Sequence, residues 1–263
     1  MLKKSHKVLE FPHFLTVQPF FYYNILMNEE FSRSEAFFGR EAMQKLRASR
    51  VALFGIGGVG GWCAEALARS GVGAIDLYDG DVVSPSNINR QIVALHSTLG
   101  RQKAEVMAER VRDINAACDV RAVCLFYDES TADAVDFSVY DYVIDAIDTV
   151  TSKVLVISRC KEAGTPVISC MGTGNKTDIS SFRVADISQT SVCPLARAVR
   201  TLLRKNGITS GVKAVFSTEK PAAVIVEDGV SSRHIPASNA FAPAAAGLML
   251  ARETVLDLIK TDD

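Results

Sequence analysis

The six cysteines, at 63, 118, 124, 160, 170 and 193, form no Cys-x-x-Cys pair. Neither a four-thiolate zinc site nor a disulfide framework is therefore indicated, and a reducing cytoplasm is the expected location. An excess of either charge is also missing. Lys and Arg total 29 against 30 Asp and Glu, a net charge of −1, so no global field attracts a polyanion and any nucleic-acid contact must rest on a local patch. Long apolar runs are absent too. The uncharged stretch Ala240 to Ala251 falls short of the ~20 residues that span a bilayer, so no membrane association is expected. Behind Lys3 and Lys4 the apolar residues are broken by Pro12, His13, Gln18, Pro19 and Asn24, which is wrong for a signal-peptide core. No internal repeat or low-complexity tract is present.

What is there is the composition of a globular protein. Hydrophobic residues make up 48% and charged ones 22% of 263 residues, close to the ordinary values of about 45–50% and about 25% and enough for a sizeable core. The first 26 residues stand apart, rich in aromatics and proline without a period of 2 or 3.6. They are expected to be an extension upstream of a natural start at Met27, with a helical stretch from Glu29 to Leu46 following. Residues 27–263 are expected to form one domain, with a nucleotide-binding part at about 31–172 and a substrate and dimer part at about 173–263.

From Arg50 strand and helix alternate. Strands are predicted at Val51–Phe54, Ala74–Tyr78, Val120–Leu125, Tyr142–Ile144 and Pro166–Ser169. Helices are predicted around Trp62–Ser70, Lys103–Asn115 and Ser152–Ala163. Spacing of this kind implies βαβ units, hence an α/β, Rossmann-like, mostly parallel sheet flanked by helices. Beyond about residue 173 the pattern loosens. Short strands, expected to run antiparallel, are read at Phe182–Val184, Val215–Ser217 and Ala223–Val226, with helices at Pro194–Lys205 and Ala244–Ile259.

Gly55-Ile-Gly57-Gly58-Val-Gly60-Gly61 has the G-x-G-x-x-G spacing between a strand and a helix, where bare backbone N–H groups and a helix N-terminus favour a phosphate. Asp79 ends the next strand, the place of a carboxylate that accepts from ribose hydroxyls. A ligand-free glycine turn would share the glycines but has no need of the acid. A dinucleotide site would share both, so the residues that follow decide between cofactors. These are Asp79-Gly-Asp81, the run Ser86-Asn87-Ile-Asn89-Arg90-Gln91, and Lys103 at a helix start. Arg90 and Lys103 suit a triphosphate whose charge must be neutralised as pyrophosphate leaves. Asp145-Ala-Ile-Asp148 ends the strand from Tyr142, which puts Asp148 at the carboxyl edge of the sheet, a natural magnesium ligand beside phosphates. Solvated surface charges for Arg90 and Lys103, and a helix N-cap for Asp148, are the plain alternatives. Cys170 and Cys193 are most simply small buried hydrophobes.

These motifs together resemble the adenylating superfamily of ubiquitin-activating, molybdopterin-synthase-activating and thiamine-biosynthesis proteins, in register over roughly residues 31–172. Phe31-Ser-Arg33-Ser-Glu35, Ala66-Leu-Ala-Arg-Ser-Gly-Val-Gly73, Asp145-Ala-Ile-Asp-Thr149 and Val215-Phe-Ser-Thr-Glu-Lys-Pro221 further resemble the tRNA threonylcarbamoyladenosine dehydratases, nearly throughout from Met27. The resemblance implies an ATP- and Mg2+-dependent enzyme. Gly55, Gly57, Gly58, Gly60, Asp79, Asp81, Asn87, Asn89, Arg90, Gln91, Lys103 and Asp148 would bind the nucleotide, with Asp79 on the ribose, Arg90 and Lys103 on the phosphates and Asp148 on the metal. Arg33 would reach the neighbouring subunit's ATP, which implies a homodimer. Arg33, Arg90, Lys103 and Asp148 would then be the catalytic set, and a sulfur-relay protein is a further candidate partner.

The implied reaction turns the carboxylate of a threonylcarbamoyl group on tRNA adenosine into an acyl-adenylate, which the modification's own ureido group attacks to close a ring. Some members carry a cysteine in the Pro-x-Ser-x-x-Phe region. Pro236-Ala-Ser238-Asn-Ala-Phe241 has none, which counts against a persulfide or thioester step there. For the tRNA, Arg197, Arg200 and Arg204 fall at helical spacing opposite Leu195, Val199, Leu202 and Leu203; a merely solvated cationic face is the alternative. Two rival functions remain open at this level. One is adenylation of a sulfur-carrier protein's C-terminal glycine, whose enzymes commonly carry the zinc cysteines missing here. The other is a nicotinamide-binding redox or sensory module.

Overall fold

A computed structural model describes residues 29–223 and 236–260; the extension 1–26 and most of the strand expected at Ala223–Val226 lie outside them. The N-terminal stretch forms two helices, α1 (Ser32–Phe38) and α2 (Arg40–Ala48), rather than one. Gly39 divides them with φ of +87°, a left-handed conformation that ends a helix at little cost only for glycine. Five parallel strands then build the nucleotide half: β1 (Arg50–Phe54), β2 (Ala74–Tyr78), β3 (Asp119–Val123), β4 (Tyr142–Asp145) and β5 (Val167–Cys170). Helices α3 (Gly60–Arg69), α4 (Lys103–Ile114) and α5 (Val150–Ala163) connect them. β6 (Phe182–Asp186), α6 (Pro194–Lys205), β7 (Lys213–Ser217) and α7 (Phe241–Leu258) complete the described chain.

The seven strands lie in the order β3-β2-β1-β4-β5-β7-β6. β7 continues the parallel register beside β5, and the antiparallel pairing expected at the C-terminal end is confined to β6 with β7. The order reverses between β1 and β4, and in open α/β sheets the crevice at such a reversal, outside the carboxyl ends of the strands, is where ligands bind. β1, β2 and β4 are almost wholly buried, which is why they read as continuous apolar runs rather than as alternation. One core lies under α3, α4 and α7, centred on Leu53, Ile75, Leu77, Leu67 and Leu250. The other lies under α5 and α6, around Phe54, Val143, Ile157 and Leu203. Gly247 lets α7 press against α3, since a Cβ there would stand 2.3 Å from the Val59 carbonyl oxygen. No helix among the described residues is long and apolar enough to cross a membrane.

Candidate active site

At the β1–β4 reversal a cleft of about 670 Å³ opens, and Gly55, Gly57, Gly58, Asp79, Asp81, Asn87, Arg90, Gln91, Lys103 and Asp148 all line it. Four of the five glycines of the turn divide into two pairs by what their missing side chains make room for. Gly55 has φ of +89°, and its Cβ would lie 2.8 Å from the Ala146 carbonyl oxygen; a Cβ on Gly60 would lie 1.7 Å from the carbonyl oxygen of Gly55. Both are bare because protein backbone occupies the space. Gly57 and Gly58 face the cleft, where Gly57 meets nothing closer than Gln91 Nε2 at 3.8 Å and Gly58 is flanked by Pro243 and the Arg90 stem. The first pair closes the turn, and the second leaves backbone N–H groups open beside the first turn of α3, the geometry that favours an anion.

Asp79 is wedged behind this turn. Its Oδ2 accepts from the Ile56 N–H at 2.6 Å and its Oδ1 from the Asp81 N–H at 2.8 Å. Both oxygens therefore brace the loops, and each keeps lone-pair capacity to accept a further hydrogen bond. Burial pushes this carboxyl above its ordinary range, with the backbone amides of Asp81 and Ile56 and the Lys103 charge pulling the other way. Lys103, buried at the start of α4, pairs with Asp81 at 2.7 Å. Arg90 donates to the Ser86 carbonyl at 2.7 Å and to Asn89 Oδ1 at 3.0 Å, while Asn89 Nδ2 ties the loop to the Ser238 carbonyl at 3.1 Å. Asn87 turns inward, its Oδ1 accepting from the Ser84 N–H at 3.0 Å. Asn87 and Asn89 thus shape the loop. Gln91 is buried with its Oε1 unpartnered, a cost of about 1–3 kcal/mol for such a group until an arriving donor meets it.

On the opposite wall Asp148 is exposed, its nearest hydrogen-bond partner being Thr149 Oγ1 at 3.4 Å. It does not cap α5, so the N-cap alternative does not hold. The described residues contain no cluster of three or more His, Cys, Asp or Glu able to cage an ion. An exposed carboxylate with no strong partner, facing the cleft, is instead a donor that suits Mg2+, which keeps several waters and takes its other oxygens from substrate phosphates.

Arg33 is not in the cleft. It is exposed on α1, whose neighbour Phe31 packs against Gly71, past the far end of α3 from the glycine turn. Arg200 also departs from expectation. It is half-buried, and its Nη1 donates to the Ile187 and Thr190 carbonyls and the Thr190 hydroxyl, whereas Arg197 and Arg204 on the same helix are exposed. Cys170 and Cys193 are both buried; burial pushes the Cys170 thiol up to about 12, which leaves no thiolate to act as a nucleophile at neutral pH.

Two features of the cleft escape a reading of motifs. Phe126, in the segment after β3, is 61% exposed and lines the cleft with its ring on Gly80, where a Cβ would lie 2.6 Å from the ring. The signal for it was β3 itself, whose carboxyl end must lie beside that of β2 once the two pair in parallel. The other is Lys153, fully buried on α5 against Asp145 at 2.8 Å. Its partner lies eight positions earlier, across a loop, so no helical spacing announces it.

Residues 31–262 match the model of the ThiF family, and the chain belongs to that family. Among its relatives, tRNA threonylcarbamoyladenosine dehydratase of Bacillus subtilis is 44% identical over 246 residues, covering 89% of this chain and 96% of the relative. The enzyme of the same name from Haemophilus influenzae is 42% identical over 187 residues, 68% of this chain and 71% of the relative. The crystal structure of Escherichia coli tRNA N6-threonylcarbamoyladenosine dehydratase in complex with ATP superposes with a TM-score of 0.79 at 34% identity, covering 88% of this chain and 94% of that one.

Proposed function

We propose that this protein is an ATP-dependent tRNA threonylcarbamoyladenosine dehydratase. The observation that carries the reading is the convergence of Arg90, Lys103 and Asp148 on one cleft with the glycine turn, in a chain matching dehydratases over most of their length. A nicotinamide has no use for two cations and a metal-facing carboxylate in the same cleft, whereas a triphosphate does. The carboxylate of the modification attacks the α-phosphorus of ATP, the bond to the β-phosphate oxygen breaks, and pyrophosphate leaves. The ureido group then attacks the acyl carbonyl, loses its proton to solvent and expels AMP. The net change in the nucleoside is the loss of one water.

The protein's contribution is orientation and charge. Backbone N–H groups at Gly57 and Gly58 face the phosphates, Arg90 and Lys103 neutralise them, and Asp79 anchors the ribose. Asp148 would hold Mg2+, which supplies further neutralisation of phosphate charge when bound. Because both reacting groups belong to one substrate, enforced geometry replaces an enzyme nucleophile. The test is to incubate the protein with ATP, Mg2+ and threonylcarbamoyladenosine-containing tRNA and weigh the digested nucleoside. A product lighter by one water, with AMP and pyrophosphate released, is expected; unchanged mass with nucleotide turnover on a small protein's C-terminal glycine would move the assignment to sulfur-carrier activation.

The exposed ring of Phe126 offers the adenine a face to stack on. Phe126→Ala is expected to raise the KM for ATP roughly tenfold, since stacking a base on an aromatic is worth about 1–3 kcal/mol, with kcat little changed. A steady-state ATP titration checks this.

For tRNA, Arg197 and Arg204 form the contact surface on α6. In an Arg197→Ala/Arg204→Ala variant the slope of log affinity against log salt should be smaller by about 1–2 than in the wild type, one counterion per lost phosphate contact. Arg200→Ala should chiefly lower the melting temperature, because its Nη1 ties α6 to residues 187–190 within the fold.

Arg33, exposed and remote from its own cleft, is assigned to the cleft of a second copy in a cytoplasmic homodimer. Co-expressed Arg33→Ala and Lys103→Ala chains should then recover about a quarter of wild-type activity, because half the dimers are mixed and each mixed dimer has one intact site of two. Activity no higher than that of the single variants would refute the composite site.

A further inference from the structure

We propose that Lys153 is a positioning residue. Through a fully buried ion pair with Asp145 and a second hydrogen bond to the Ile147 carbonyl, it sets the backbone of residues 146–148 and so the direction in which Asp148 offers its carboxylate to a divalent cation. The two aspartates of the Asp145-Ala-Ile-Asp148 segment thereby do different work, Asp145 inside the protein and Asp148 in the cleft. This inference rests on the assignment of Asp148 to the metal.

Lys153 and Asp145 are both 0% exposed. The Nζ group donates to Asp145 Oδ2 at 2.8 Å and to the Ile147 carbonyl at 2.8 Å. Asp145 in turn accepts from the Ile147 N–H at 3.1 Å through Oδ1 and from the Ser169 hydroxyl at 2.5 Å through Oδ2. On the β1 side, the Ala146 N–H donates to the Phe54 carbonyl at 2.8 Å, and bare Gly55 lies against the Ala146 carbonyl. Both the N–H and the C=O of Ile147, the residue before Asp148, are thus held by one ion pair. That pair is locked to β5 through Ser169.

Stability alone does not call for such an arrangement. Removing two charges from water costs about as much as their attraction returns, and an apolar pair of the same volume would serve a core as well or better. What the ion pair adds is direction, because each hydrogen bond constrains an angle that packing of methyl groups leaves loose. Lys153 also cancels the charge of Asp145, so Asp148 is the carboxylate of the segment left to face a cation.

The test uses the full-length protein, a non-hydrolysable ATP analogue, and Mn2+ as the probe, followed by water-proton relaxation. The D145N/K153M variant removes both charges at nearly constant volume, so no charge is left buried and unpaired, and the melting temperature should fall only by what the Ile147 carbonyl loses with its donor. Affinity for the analogue without metal should match wild type, while Mn2+ affinity of the ternary complex should weaken by roughly 10–100-fold, the usual effect of losing a group that orients a metal ligand. A folded double variant with wild-type Mn2+ affinity, where D148N has lost it, overturns the inference alone. Wild-type Mn2+ affinity in D148N overturns the assignment of Asp148 to the metal, and this inference with it. Ser169→Ala leaves the ion pair in place and removes one donor to Asp145, so it gives the same reading on an undisturbed fold should the double variant fail to fold. A few-fold weakening of Mn2+ supports the inference, and none overturns it.

Discussion

Replacing Lys103 with Ala is expected to lower ATP–pyrophosphate exchange and kcat/KM for ATP by roughly 10²–10³-fold, as for other single groups that stabilise charge as it develops in a transition state. Lys103 is buried at the start of α4 with its ammonium held 2.7 Å from Asp81 at the cleft wall, so it is in place before ATP arrives. Its loss removes a positive charge where phosphate charge moves onto the leaving pyrophosphate. The melting temperature should fall little, because Asp81 is exposed and remains solvated when its partner goes. Arg90→Ala should be comparably damaging for a partly different reason. The guanidinium also holds the Ser86 carbonyl and the Asn89 side chain, so the loop over the cleft loosens as the charge disappears. Wild-type exchange in folded Lys103→Ala would remove the physical basis for assigning this cleft to a triphosphate.

Gly60→Ala and Gly57→Ala should fail in opposite ways although both lie in one glycine turn. A methyl at Gly60 would be driven to 1.7 Å from the Gly55 carbonyl oxygen. Backbone held between β1 and α3 cannot yield, so destabilisation of about 3 kcal/mol or more is expected, at the upper end of what overpacking costs. For a chain of this size that corresponds to a melting-temperature loss of roughly 6–12 °C. A methyl at Gly57 has 3.8 Å to its nearest neighbour and should leave the melting temperature nearly unchanged. It would stand where a phosphate must approach the backbone, so ATP affinity falls instead. Thermal melts and nucleotide titrations on the two variants separate the roles. Equal loss of stability in both would refute the division of the turn into a packing pair and a ligand pair.

Most of the fold was legible in the residues. The predicted strand Ala74–Tyr78 and helix Pro194–Lys205 coincide with the observed elements, and most other boundaries between residues 50 and 217 shift by only one or two positions. Such elements carry their own signals, continuous apolar runs for strands buried on both faces and an apolar stripe for a helix buried on one. The helical stretch at 29–46 reads as one because its apolar period continues across Gly39, and only the backbone conformation there interrupts it.

The residues that line the cleft, among them the glycine turn, Asp79, Arg90, Lys103 and Asp148, were legible because a strand–glycine turn–helix with an acid at the end of the next strand, and charged residues after later strands, mark the carboxyl edge of such a sheet. What each charge is already paired with was not. Lys103 with Asp81, Arg200 with Thr190, Lys153 with Asp145 and Ile147, and Phe126 over Gly80 are through-space neighbours, set by how separate loops converge at the edge of the sheet. The sequence by itself therefore determined the alternating architecture and the chemical kinds of group at the cleft. Only the tertiary structure decided which glycines face the cleft, which arginines on α6 stay exposed and what holds the backbone before Asp148. Residue pattern encodes local conformation and burial, whereas the partner of a charge depends on which distant backbone is folded against it.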